Sequence, residues 1–230
     1  MKTFKALSLL LSYPTAALQD AIPAIEAVLR DEGLLGPKRM QMLAPILAEL
    51  RDRDLYDLQE RYVLLFDRSR TLSLNLFEHI HGESRDRGGA MVDLLDMYRA
   101  GGFDLGGSEL PDHLPVLLEF LSTRPLAEAR AILTDAGHIL VALGERLIRR
   151  ETPYAALLEA LVALAEADPQ TTEVETLLSI KDDDPEDLAA LDAVWAEAQV
   201  TFGPDPNAGC PVSRDLLARM DAAPAAPAAS

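Results

Sequence analysis

YVLLFDRSRTLSLNLFEHIHGESRDRGGAMVDL, residues 62–94, interrupts an otherwise regular succession of helical patterns with a run dense in charge and histidine. A helical protein normally alternates apolar and polar faces. Here Asp67, Arg68, Arg70, Glu78, His79, His81, Glu83, Arg85, Asp86 and Arg87 crowd around two apolar patches. Such a segment is either a catalytic or metal site, or an ion-paired surface shaped for a partner.

Outward from this run the pattern is helical on both sides. Phe4, Leu7, Leu10 and Leu11 fall at helical spacing before Pro14, which predicts a first core helix rather than a cleaved leader. Thr15 caps a second helix carrying Leu18, Ile22, Ile25, Val28 and Leu29, and Gly33 ends it; Pro23 inside it predicts a kink or a late start. A third starts near Pro37 with Met40, Leu43, Ile46, Leu47 and Leu50. A fourth, with Asp54 as cap, carries Leu55, Leu58, Tyr62, Leu65 and Phe66. SRTLSLNL then breaks the rhythm, which predicts an irregular connection bringing Phe77 beside the preceding helix, with a break at Gly82.

Downstream, residues 86–99 predict a helix with Met91, Leu94, Leu95 and Tyr98 inward, stopped by Gly101 and Gly102. Pro115 marks the first turn of the next, whose Leu117, Leu118, Phe120 and Leu121 form a broad apolar face. Pro125 opens one long helix from Ala129 through Leu147, and Thr152 with Pro153 caps another. An acidic, polar stretch follows Ala165. Pro185 starts a short helix that ends near Trp195, and residues 203–230 read as a mobile tail rich in proline and alanine. The expected organisation is a helical domain over 1–202 plus that tail, with no repeat of fixed period.

Composition agrees with an all-α chain. Of 230 residues 49% are hydrophobic but only 5% aromatic, and the apolar share is mostly Leu and Ala, both strong helix formers. A chain this long buries roughly 70–75% of its unfolded surface as one domain. Lys and Arg number 21 against 38 Asp and Glu, a formal charge of −17, which repels nucleic acid and anionic lipid and favours cationic partners such as a basic peptide. Cys210 is the only cysteine, so no intrachain disulfide or thiolate cluster forms, and a reducing compartment is expected. No apolar stretch approaches the ~20 residues that span a bilayer, so the expected setting is soluble and cytoplasmic.

A metal reading draws on Glu78, His79, His81 and Glu83, since imidazole and carboxylate suit zinc or iron. The spacing is poor: on a helix His79 and His81 lie about 200° apart, leaving His79 and Glu83 at i, i+4 as the usable pair. No HExxH occurs, the one ExxH run, Glu78 to His81, supplies no ligand set by itself, and neither GxGxxG, GxxxxGK[ST] nor GxSxG occurs. The structural alternative is ion pairing, Glu83 with Arg87 and Asp67 with Arg70, although exposed pairs contribute only about 0–1 kcal/mol each. Asp112 either caps its helix or meets a partner, and His113 either packs or does the same.

FDRSRTLSLNLFEHIHGESRDRGGAMVDLL, with ELPDHLPVLLEFLS and LDAVWAEAQVTF after it, closely resembles the nitrate reductase molybdenum cofactor assembly chaperones of the NarJ family, within the wider TorD and DmsD group. The resemblance runs from the N-terminal helix to Phe202. It implies a single-domain, all-α helical bundle of the TorD-like type with no chemistry of its own and no stably bound cofactor. Such a chaperone binds the apo catalytic (alpha) subunit of a respiratory nitrate reductase in the cytoplasm while bis-molybdopterin guanine dinucleotide, and an iron-sulfur cluster, are inserted. Membrane docking follows loading, and molybdenum cofactor biosynthesis proteins are further implied partners. One recognised element is the client's N-terminal peptide, expected as an amphipathic helix in a groove. On that basis Tyr62, Phe66 and Phe77 are expected as apolar groove residues with Leu117 and Phe120 behind them. Asp67, Glu78, Glu83 and Asp112 are expected to meet basic client groups, Arg85 and Arg87 to hold the charged loop, and His79, His81 and His113 to make binding pH-sensitive.

Overall fold

The computed structural model describes residues 1–82, 85–107 and 109–183. Eleven α-helices run through them: α1 (Lys2–Leu10), α2 (Ala16–Glu32), α3 (Gly36–Asp52), α4 (Leu55–Tyr62), α5 (Leu76–His81), α6 (Arg85–Ala100), α7 (Leu114–Ser122), α8 (Leu126–Asp135), α9 (Gly137–Arg149), α10 (Ala155–Ala165) and α11 (Thr172–Ser179). Among the described residues no strand forms, and the architecture is the all-α bundle that the composition predicts. The helix expected after Pro185, the tail over 203–230 and Cys210 lie outside the described residues.

Local chemistry sets many helix ends. The Thr15 hydroxyl accepts the Leu18 N–H at 3.1 Å, the Asp54 carboxylate accepts that of Tyr56 at 2.9 Å, and Thr171 accepts that of Val174 at 3.3 Å, each satisfying a donor the helix leaves unpaired. Gly33 closes α2 at φ 68°. Pro23 neither kinks the chain into two helices nor delays the start: α2 is continuous from Ala16. The proline is exposed.

The core is built on α1 and α10. Phe4, Leu7, Leu10 and Leu11 are fully buried, as their spacing predicts. α1 packs on α2 and α7, where Ser8 Oγ donates to Pro115 O at 2.7 Å and Lys5 pairs with Glu119. α10 packs on α3, α8 and α9. The long helix predicted from Pro125 is two, α8 and α9, divided at Ala136 (φ −87°, ψ 0°). Just past the division the chain approaches Ala167 closely: a Cβ at Gly137 would lie 2.7 Å from the Ala167 Cβ. α11 lies in the stretch read only as acidic and polar; it buries Val174 and Leu177.

After α4 the helix widens into one π-helical turn, Val63–Asp67, closed by Arg68 N–H to Val63 O at 2.9 Å. It turns Leu65 and Phe66 inward while Asp67 stays exposed. A 3₁₀ turn, Arg70–Leu72, follows. This is the irregular connection expected from SRTLSLNL, and it delivers the chain to α5.

α6 departs from expectation. Met91, Leu94 and Leu95, predicted inward, are only partly covered, and Tyr98 alone among the helix's described side chains is buried. The helix is fixed near its C-terminal end, where Tyr98 donates its hydroxyl to Pro111 O at 2.7 Å and stacks on Phe120 with ring centroids 4.8 Å apart.

Candidate functional site

Residues 73–75 run extended between the 3₁₀ turn and α5 and pair with the chain that leads into α7. Leu76 N–H donates to Asp112 O at 3.1 Å and Leu114 N–H to Leu74 O at 2.8 Å, forming an antiparallel bridge at Asn75 and His113. Asp112 completes the join, its Oδ2 accepting the Phe77 N–H at 3.0 Å. Asn75, the residue before α5, provides no side-chain cap. Asp112 therefore caps a helix 35 residues earlier in the chain rather than its own.

Asp112 is fully buried. Burial pushes its carboxyl above the usual carboxylate range, against the opposing pull of the Phe77 N–H and the Arg87 guanidinium. Arg87 Nη2 lies 3.2 Å from Glu78 Oε1 and 3.9 Å from Asp112 Oδ2, so one guanidinium ties α6 to α5 and to the α7 approach. Asn75 Nδ2 also reaches Glu78 Oε1, at 3.4 Å. Glu83 and the Arg85 side chain lie outside the described residues.

The histidines face three different ways. His79 Nε2 lies 2.8 Å from Ser73 O, a hydrogen bond back into the preceding turn; burial pulls its imidazole below the usual range, with that bond opposing. His81 sits edge-on to Phe77 at 5.9 Å between centroids. His113 has Nδ1 3.5 Å from Glu109 Oε2, and burial lowers its imidazole too, with Glu109 opposing. Glu78, His79 and His81 are thus directed at separate partners, and among the described residues no group of three or more His, Cys, Asp or Glu is placed to hold a metal ion.

Tyr62, Phe66, Leu117 and Phe120, expected as groove residues or their backing, lie in the core. At 4%, 5%, 4% and 1% exposure they offer a partner no surface in this conformation. Tyr62 donates its hydroxyl to Leu11 O at 2.9 Å, and its ring and that of Phe66 meet at 4.9 Å, with Tyr154 5.2 Å from Phe66. Phe77 is half-buried. The exposed apolar side chains of this region are instead Ile80 (50%), Val92 (55%) and Leu110 (44%), which the sequence reading did not single out. Ile80 stands between two histidines, and Val92 is one position off the predicted inward phase of α6. A cleft of about 500 Å³ opens between α9 and α10 over Val141, Gly144, Ile148, Val162 and Ala163, and no predicted site residue lines it.

Sequence reading also missed Arg146. Its guanidinium is 1% exposed, with Nη1 donating to Thr71 O at 3.0 Å, Nη2 to Leu177 O at 2.6 Å and Nε to Asp182 Oδ1 at 3.0 Å. Its position was a signal: it falls three residues after Leu143 and seven after Ile139, on the apolar stripe of α9, where an arginine has to find buried partners.

Comparison with known proteins places these elements in a lineage. The family described as nitrate reductase delta subunit matches residues 15–160, well over half the chain. The chain belongs to the nitrate reductase delta subunit family. The nitrate reductase molybdenum cofactor assembly chaperone NarJ of Escherichia coli strain K12 is 45% identical over 206 residues, covering 88% of this chain and 85% of that protein. The probable chaperone NarW of the same strain is 40% identical over 210 residues, 91% and 87% of the two chains. The probable NarJ of Bacillus subtilis strain 168 is 31% identical over 167 residues, 71% and 88% of the two. The delta subunit family match takes in the whole interval from Tyr62 to Phe120 in which the predicted site residues fall. Among the described residues no helix is long and apolar enough to cross a membrane.

Proposed function

We propose that this chain is a system-specific cytoplasmic chaperone for a respiratory nitrate reductase. It binds the apo catalytic subunit, including its N-terminal peptide, and keeps it open to molybdenum cofactor insertion before the enzyme docks at the membrane. The observation that carries this is the 45% identity to the Escherichia coli NarJ chaperone over 88% of the chain. It acts without turnover and holds no cofactor stably; bis-molybdopterin guanine dinucleotide is received by the client. Molybdenum cofactor biosynthesis proteins meet it on the client.

The joint of α5, α6 and the α7 approach suits the recognition of a basic amphipathic segment. Ile80, Val92 and the half-covered Phe77 supply apolar anchors, and the exposed Asp67, Asp86, Asp93 and Asp96 supply acidic flanks. Apolar anchors give affinity in helix-in-groove binding, and flanking charge gives register and rate. The buried Asp112 and the partly covered Arg87 hold this surface in shape rather than meet the client. The alternative of a metal- or cofactor-handling protein using Glu78, His79, His81 and Glu83 draws no support from the divergent partners of the first three.

Deleting the gene and purifying nitrate reductase from the deleted and complemented strains tests the assembly role. The expected outcome is catalytic subunit that accumulates without molybdenum in the deletion strain alone. Fully loaded, active enzyme in that strain refutes it.

A further inference from the structure

Two adjacent carboxylates just beyond α11 reach back across the bundle, Asp183 to the turn that leads into α5 and Asp182 to the end of α9. Asp183 Oδ2 accepts from Ser69 Oγ at 3.1 Å, from Thr71 N–H at 2.8 Å and from Thr71 Oγ1 at 2.9 Å. Asp182 accepts from Arg146 Nε at 3.0 Å and lies 3.4 Å from Arg149 Nη1, while Arg150 Nη2 donates to Asp183 O at 2.6 Å. Three arginines at the C-terminal end of α9 thus form a cationic patch in a chain of net charge −17. The Asp182 carboxylate and the Asp183 main-chain carbonyl are received there, while the Asp183 carboxylate holds a turn 112 residues earlier in the chain.

We propose that residues 180–183 are a releasable strap that sets the conformation of the turn at residues 69–75, and through it the presentation of α5. The two sides of the contact are built differently. The receiving side is preformed and buried: Arg146, Ser69 and Thr71 are 1%, 2% and 8% exposed. The strap has no apolar hold, since Ile180 is 52% exposed, Lys181 is exposed, and both aspartates are only partly covered. It stays by charge and hydrogen bonds alone, which open locally at lower free energy than the packed core.

Closure is nonetheless the resting state. Without Asp182 the buried Arg146 keeps its charge and loses its carboxylate. The effect of opening is directional. Thr71 is held on both sides, by Asp183 at its N–H and by Arg146 at its carbonyl. Release removes the first hold and leaves the second, loosening the segment whose next residues pair Leu74 and Leu76 with Leu114 and Asp112. The strap's role in recognition rests on the proposed client binding; its existence does not.

Amide hydrogen exchange on the full chain tests the strap in the free protein. In an Asp182→Asn, Asp183→Asn variant the amides of residues 71–73 are expected to exchange about tenfold faster, with α1, α2 and α3 protected as before. Unchanged exchange at Thr71, or an equal loss of protection in every helix, overturns the proposal. A second variant, Ser69→Cys with Asp183→Cys in a Cys210→Ser background, locks the strap when oxidised. The probe is a synthetic peptide of the client's N-terminus, followed by stopped-flow fluorescence. A slower association for the oxidised form that dithiothreitol restores supports release during recognition, whereas equal rates in both forms overturn it. Binding to neither form sinks the client-recognition reading, and the exchange result then decides the strap by itself.

Discussion

Helices α6 and α7 flank the same loop and are used in opposite ways. α7 buries seven of its nine residues, Leu114 to Leu118, Phe120 and Leu121; among the described side chains of α6 only Tyr98 is buried. α7 is held along its length by packing, and α6 mainly at its two ends, by Arg87 to Glu78 at one and by the buried Tyr98, packed on Phe120 and donating to Pro111, at the other. Apolar content therefore means different things in the two. In α7 it is stability; in α6 Met91, Val92 and Leu95 remain in part available to a partner.

The sharpest way to break this comparison is to truncate one side chain in each helix. Phe120→Ala removes a ring packed on Tyr98 and Phe103 and is expected to lower unfolding free energy by about 3–5 kcal/mol, read by urea denaturation. A loss under about 1 kcal/mol means that α7 is not the rigid partner. Asp112→Ala strips the α5 cap and leaves Arg87 with Glu78 alone; a drop of about 1–3 kcal/mol is expected, with amide exchange rising first in α5. Val92→Ser is expected to change stability by no more than about 0.5 kcal/mol. It should still weaken calorimetric affinity for the client peptide by about tenfold. Peptide affinity equal to wild type removes α6 from the recognition surface.

His79 sharpens the same contrast through pH. Burial lowers its folded-state pKa below the ordinary 6.5, so the unfolded chain takes up this proton before the folded one does. Stability from neutral His79 is complete above the ordinary value and is lost as pH falls from there toward the lowered folded value. His113 acts with the same sign. A His79→Gln variant is expected to show a shallower fall in urea midpoint between about pH 7.5 and 5.5 than wild type. A parallel pair of curves places the titration elsewhere.

Much of the fold was legible because its signals are local. Thr15 and Asp54 as caps, Gly33 as a stop, Pro115 in a first turn and the stripe of Phe4, Leu7, Leu10 and Leu11 each act within one or two helical turns, and all stand where the sequence puts them. Apolar periodicity also separated inward from outward in most helices. It could not say whether an inward residue meets the core or lines an open groove, and Tyr62 and Phe66 joined the core because Tyr13 and Tyr154 stack around them.

The sequence alone determined the helical class, most helix starts, the improbability of a ligand set in EHIH, and the family through the unusual run from Phe66 to Leu95. Tertiary structure alone decided that one predicted helix is two, that Asp112 caps α5, that α6 leaves Val92 open, and that Arg146 and Thr71 hold Asp182 and Asp183. The reason is range. Caps, prolines and periodicity work between residues a few positions apart, whereas a carboxylate chooses among donors 35 or 112 residues away only after packing has brought them within hydrogen-bonding distance.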